Sequence, residues 1–306
     1  MSRRTLLIIR LSVFAAACVF LYWRVIREDL LALARLGLRL DPGGVPWSTV
    51  IAVTGLMLLN WGIEAVKWRR LVAPVQRIGF PRAFAATIAG TTIALVTPNR
   101  TGEFAGRVLF LRPENRWQAG FATVLGSISQ FVTTLIVGCC MIAFGGVSAI
   151  EGSIFPFTQR AIMSTALLIA AATAFLYFRP DVLKRLLGSL PYLRKLEARM
   201  TVLEGYGTSA LLVVFMLSLV RYAVFTAQFC LLLAALAHTP FAAAVVTVPV
   251  VFLLTTLVPT TLFSELPVRG SIAASLIVGS SFGVLMATTA LWLINLVLPP
   301  MIGSVN

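Results

Sequence analysis

Three features of this sequence predict an all-α, polytopic membrane protein, with about six full spans and two re-entrant helical hairpins related as an inverted repeat. The first is composition. The 306 residues are 59% hydrophobic and 12% charged, with a mean hydropathy of +0.94, whereas soluble domains carry about 25% charged residues. The second is residues 95–107, LVTPNRTGEFAGR, which interrupt an apolar segment with a proline, two glycines and the charges Arg100, Glu103 and Arg107. The third is residues 257–269, LVPTTLFSELPVR, a stretch of the same length that also follows an apolar run and repeats the Glu-x-x-x-Arg pair as Glu265 and Arg269. Interrupted hydrophobic segments at corresponding places in two halves point to discontinuous helices around a binding site. The half-repeats are expected over roughly 45–145 and 208–304 of a single transmembrane domain.

Charge narrows the partners. The formal charge is +14, from 25 basic against 11 acidic residues, and all the basic residues except Lys67, Lys184 and Lys195 are arginine. Interspersed with apolar spans, this excess reads as membrane-surface binding and the positive-inside signal rather than as nucleic-acid binding. Cys18, Cys139, Cys140 and Cys230 lie in apolar runs, and His238 is the only histidine. No disulfide framework, metal site or other cofactor is therefore expected.

In chain order, residues 5–23 form the first span. The basic residues ahead of it resemble a signal peptide, but Arg10 breaks the run and no A-x-A site follows, so the span is expected to be retained. Residues 30–40 read as a short interfacial helix. The second span, 45–66, carries Asn60 and Glu64 and ends in Lys67-Trp68-Arg69-Arg70, which with Arg77 and Arg82 marks a cytoplasmic loop. Residues 84–96 lead into the first motif. The helical pattern beyond it, 103–111, is far shorter than the ~20 residues a crossing needs, so it turns back. Entry from the cytoplasm keeps Arg179, Lys184, Arg185, Arg194, Lys195 and Arg199 inside.

Residues 119–144 form a span with a polar middle of Ser127, Ser129, Gln130, Thr133 and Thr134. An external loop over 145–159 and a returning span over 161–178 lead to 179–200, a basic amphipathic surface helix or helix pair interrupted near Pro191 and lying on anionic headgroups. Residues 209–237 exceed the hydrocarbon thickness and carry Arg221 near their centre. Segments 241–258 and 267–283 flank the second motif as two spans or, by analogy with the first motif, as a hairpin from the outside, and 287–302 form the last helix. In this topology Arg24, Arg27, Arg35 and Arg39 fall outside, offset by Glu28, Asp29 and Asp41.

Glu103, Arg107, Arg221, Glu265 and Arg269 are the candidates for membrane depth, where each charge costs about 2.5–3.5 kcal/mol and marks a functional site by default. Each Glu precedes its Arg by four residues near a helix N-terminus, so two self-neutralised pairs that hold the hairpins in shape are one reading. The other rests on charge balance, because three arginines against two glutamates leave one positive charge for an anion. The guanidinium fork suits phosphate, which a lipid would bring to a pocket opening into a bilayer. Asn60, Glu64 and Gln130 line the same cavity or serve as ordinary interhelical hydrogen-bonding residues. Gly102-x-x-x-Gly106 is expected to serve close helix packing. The sequence shows no Walker loop, G-x-S-x-G elbow, H-E-x-x-H or paired-carboxylate motif, so no enzymatic activity is expected. From the residues alone the chain is a membrane transport or lipid-handling protein.

At these residues the sequence resembles the transmembrane, flippase-like family named after lysylphosphatidylglycerol synthase. The resemblance rests on Lys67-Trp-Arg-Arg, on Pro98 through Gly102-Glu103 to Arg107, on Pro267-Val-Arg269-Gly, and on Leu298-Pro-Pro-Met-Ile-Gly303, in the family's order and spacing. It implies an inner-membrane protein that moves a phosphate-bearing lipid or lipid-linked intermediate between leaflets. Arg107, Arg221 and Arg269 would then hold the phosphate, and Glu103 and Glu265 would orient the arginines or receive protons. Departures from the family pattern are Ser129-Gln130-Phe131, where acidic and basic residues are usual, and Gly270, where Glu is frequent. With no room for a soluble aminoacyl-transfer domain, only the lipid-translocating half is implied. A homo-oligomer, or an envelope biosynthetic enzyme as partner, is compatible with this. The alternative from another class is a non-transporting accessory or scaffold protein for such an enzyme.

Overall fold

The computed structural model describes residues 45–96, 102–143, 156–190, 194–258 and 262–298. The span expected at 5–23, the interfacial helix at 30–40 and most of the loop at 145–159 lie outside the described residues. Every regular element among the described residues is helical: α1 Trp47–Val72, α2 Phe80–Val96, α3 Gly102–Val108, a 3-10 turn Pro113–Asn115, α4 Arg116–Ala143, α5 Pro156–Phe178, α6 Pro180–Gly188, 3-10 turns Arg194–Gly205, α7 Thr208–Ala237, α8 Phe241–Leu257, α9 Leu262–Leu276 and α10 Ser281–Trp292, which runs into a π turn Leu293–Val297.

Helices α1, α4 with its preceding turn, and α7 are long and apolar enough to cross a membrane. A fourth span arises if α5 and α6, bent by 98° at their junction, count as one. The bend follows from Pro180, which excludes α geometry at the residue before it; Arg179 accordingly sits at φ −124°, ψ 69°. The chain divides into two compact units, one holding 58–137 and 160–224, the other holding the described parts of 1–57, 138–159 and 225–298.

In the first unit, α2 and α3 form a hairpin. A β-carbon built on Gly106 would lie 2.6 Å from Gly90 Cα and 2.8 Å from Ala89 O. Those 16 residues would span about 24 Å in a continuous helix, so α3 folds back onto α2. The small residue at 106 permits this approach, as the Gly-x-x-x-Gly spacing predicted. Trp68, fully buried, donates from Nε1 to Thr123 Oγ1 at 3.0 Å and packs with Ala65, Val72, Ala83, Ala86, Leu111 and Ala119.

Two sequence-based expectations change here. Helix α1 does not end at residue 66: it runs to Val72, and Lys67 and Trp68 are buried in it rather than opening a loop. Arg69 and Arg70 occupy its last turn, where cations suit the carboxyl end of the helix dipole. The basic segment expected on headgroups instead spends much of its apolar face on protein. Leu183, Met200, Leu203 and Tyr206 are buried against Leu71, Phe121, Leu125, Tyr177 and Leu211. Lys184 and Glu204 tie α6 to the 3-10 turns at 2.9 Å. Helix α6 ends at Gly188 and the 3-10 turns begin at Arg194, while the interruption expected near Pro191 lies outside the described residues.

In the second unit, α8 and α9 also turn back on each other. The Arg269 guanidinium lies 5.8 Å from the centre of the Phe252 ring, although 17 residues of helix would separate them by about 25 Å. Phe252 in turn stacks on Phe225 and Phe229. The last elements differ from the expected 267–283 and 287–302. Helix α9 begins at Leu262, so Glu265 and Arg269 share one helix with Pro267 inside it, and the next break falls at 277–280. Gly279 has φ 151°, and a β-carbon there would meet Ala237 O at 2.8 Å. Ser280 caps α10 by accepting from Gly283 N–H at 3.2 Å. Gly279, Ser280 and Ser281 mark this corner locally, a few residues before the break that the apolar pattern placed after 283.

Candidate functional site

The first unit assembles a five-charge cluster from three separate elements. Glu64 and Lys67 are one turn apart on α1, and their side chains meet at 2.7 Å through Oε2 and Nζ. Arg107, brought in by α3 of the hairpin, donates from Nη1 to Glu64 Oε1 at 2.8 Å and from Nη2 to Glu103 Oε1. Arg221, from the middle of α7, places Nε 3.4 Å from Glu64 Oε2 and donates from Nη1 to Gln130 Oε1 on α4 at 3.2 Å. Glu64 is thus a single carboxylate facing three cations. Two carboxylates against Lys67, Arg107 and Arg221 leave a formal excess of one positive charge.

Burial is uneven across the cluster. Glu64, Lys67 and Arg107 are buried, whereas the Glu103 and Arg221 side chains retain 30% and 26% exposure. The open edge therefore carries one acid and the most loosely held guanidinium. Among the described residues, Arg107 Nε has no hydrogen-bond acceptor. Gly90 is what lets Arg107 reach inward, because a β-carbon there would lie 2.8 Å from Arg107 Cγ. The close crossing of α2 and α3 and the position of the charge are one packing solution.

Of the residues singled out from sequence, the structure brings Glu103, Arg107, Arg221 and Gln130 together in this unit. Asn60 is buried one turn before Glu64 on the same helix. Glu265 and Arg269 belong to the second unit, where they pair within α9 at 2.8 Å and are neutral as a pair. Sequence reasoning gave Glu64 a minor place and missed Lys67. The available signal was their i, i+3 spacing ahead of buried Trp68, masked by the Arg69-Arg70 that follow.

Three long apolar helices, two helical hairpins and a buried cluster with excess positive charge define an integral membrane protein with a polar interior site. The chain belongs to the family described as the lysylphosphatidylglycerol synthase TM region, which it matches over residues 7–303. That description ties it to membrane lipids. No curated protein matches it.

Proposed function

We propose that this protein is a lipid transporter of the flippase type, carrying a phosphate-bearing lipid or lipid-linked intermediate between leaflets without covalent chemistry. The observation that carries this reading is the half-open cluster of Lys67, Arg107 and Arg221 around Glu64, with one positive charge in excess. A charge held inside a membrane protein is costly and is retained for a task, and two guanidinium forks suit a phosphate monoester or diester. The reading includes about six spans, two re-entrant hairpins in an inverted repeat, and basic segments facing the cytoplasm across an inner membrane.

The test is leaflet-resolved lipid flipping in proteoliposomes, paired with thermal unfolding in detergent. Arg107→Gln and Arg221→Gln should each abolish flipping in a folded protein. Glu103→Gln/Arg107→Gln should regain stability relative to Arg107→Gln but not flipping, because a donor fork is still missing. Full flipping by that double variant and by Glu265→Gln/Arg269→Gln would make both pairs structural and leave Arg221 as the phosphate ligand. The close pairing of Glu64 with Lys67 and Arg107 favours a second reading, in which the cluster is a sealed strut of a non-transporting accessory protein. That reading requires wild-type protein to be inert in vesicles.

A further inference from the structure

A second polar site lies in the first unit, at the end of α1 rather than beside the charge cluster. There a groove of about 250 Å³ is lined by Arg70, Tyr206, Ser209, Ala210, Val213 and Val214. Its lining combines two chemistries. Exposed Arg70 and Ser209 contribute polar groups, and Ala210, Val213 and Val214 contribute aliphatic ones. Tyr206 is fixed beneath by its hydroxyl, which donates to Leu71 O, so the wall is rigid. Arg70 has no ion-pair or hydrogen-bond partner among the described residues.

The depth of this groove follows from helix length. Helix α1 has 26 residues, about 39 Å, against a hydrocarbon core of about 30 Å. A helix longer than the core carries its ends into the headgroup layers, and Arg70 lies in its last turn. Helix α7 starts at Thr208, so Ser209 lies at that level and Val213 one turn further into the hydrocarbon. From Val213 in the groove wall, exposed Met216 and Val220 continue at helical spacings along α7, extending the aliphatic lining into an apolar track.

We propose that this groove is a binding site for an anionic glycerophospholipid, with the phosphodiester on Arg70 and Ser209 and one acyl chain along Val213, Met216 and Val220. A cation at headgroup depth joined to an aliphatic track matches the two ends of such a lipid, and no soluble anion would use the track. The site is peripheral to the Glu64 cluster and does not depend on the transport reading.

The experiment is photo-crosslinking of the full-length protein in phosphatidylcholine nanodiscs doped with phosphatidylglycerol that carries a diazirine on its acyl chain, with the adducts mapped by mass spectrometry. Adducts should concentrate on Val213–Val220. Arg70→Gln should lower their yield about tenfold, the scale of one charge-assisted hydrogen bond, and Arg70→Lys should retain most of it. Val213→Trp, which fills the track without altering charge, should lower the yield as far. Both sites are exposed, and an unchanged circular dichroism spectrum confirms folding. Equal yield from an uncharged diacylglycerol probe, or an unchanged yield in Arg70→Gln, would overturn the proposal. Displacement of the adducts by excess inorganic phosphate would overturn it in favour of a free-anion site.

Discussion

Glu64 is the residue on which the charge cluster turns. It faces Lys67, Arg107 and Arg221 at 2.7, 2.8 and 3.4 Å from a buried position. Removing its charge leaves those three cations with Glu103 alone. Breaking a buried ion pair from one side costs about 3–5 kcal/mol, so Glu64→Gln should be among the most destabilising single changes in the chain. Glu64→Gln/Lys67→Met should recover a large part of that loss, because the orphaned ammonium is removed with its partner. Thermal unfolding of both variants in detergent checks this, and equal melting of Glu64→Gln and wild type would contradict the central role of the carboxylate. Glu103, at the open edge, should be far more tolerant as Glu103→Gln, since its loss leaves Arg107 on Glu64. The residues of this cluster were only partly legible in the sequence. Glu103, Arg107 and Arg221 announced themselves as charges in apolar surroundings. Lys67 did not, because it stands at the head of a basic run whose other members reach the surface.

The α2–α3 hairpin is where sequence pattern and packing agree most closely. A methyl group at Gly106 would meet backbone atoms at 2.6–2.9 Å, which no rotamer change relieves. Gly106→Ala should therefore cost about 1–3 kcal/mol, the usual range for overpacking, and should displace Arg107 with it. Gly120 on α4 has open space around it, so Gly120→Ala should be neutral or stabilising by up to about 1 kcal/mol through helix propensity. Melting temperatures of the two variants give the contrast. The α6 element carries a different signature. Arg179, hydrogen-bonded to exposed Asp181, holds that carboxyl down at about 2. A depressed folded value means that the contribution is present above the ordinary Asp range near ~3.9 and is lost as pH falls through about 2. A spin label at Ser189 should accordingly show constant mobility from neutral pH down to about 5 and rise only in stronger acid. Asp181→Asn should remove the acid dependence. The apolar face of this element was visible in the sequence, but whether lipid or protein covered it was not, because both satisfy Leu183 and Leu187 equally well.

At the scale of the whole molecule, the prediction concerns sidedness. Arg69, Arg70, Arg179, Lys184 and Arg185 all belong to the first unit, and the positive-inside rule predicts that they face the cytoplasm. Cysteines placed at Ser189 and Gln76 in a protein freed of native cysteines should react with an impermeant reagent only after the membrane is opened. Labelling in intact cells would reverse the orientation. The chain supplies a Glu-x-x-x-Arg hairpin to each unit, and each is described by its own partners: Glu64 and Arg221 for the first, Phe252 for the second.

By itself the sequence determined the class of the protein and the two interrupted segments that carry the Glu-x-x-x-Arg pairs, but not the ends of α1 and α9. Composition, run length and Pro or Gly interruptions act locally, and the free energy of apolar burial reads them without knowing the partner. It fixed the i, i+4 pairs for the same reason, since helical spacing is local geometry. Only tertiary structure decided which charges share a carboxylate. The meeting of Glu64, Arg107 and Arg221 depends on α3 folding back onto α2 and on the approach of α7, contacts between residues far apart in the chain. It also decided that Lys67 is interior and that helix α9 stops before Gly279. There a backbone carbonyl, at Ala237, leaves no room for a side chain, and such a steric limit exists only once the neighbouring helix is in place.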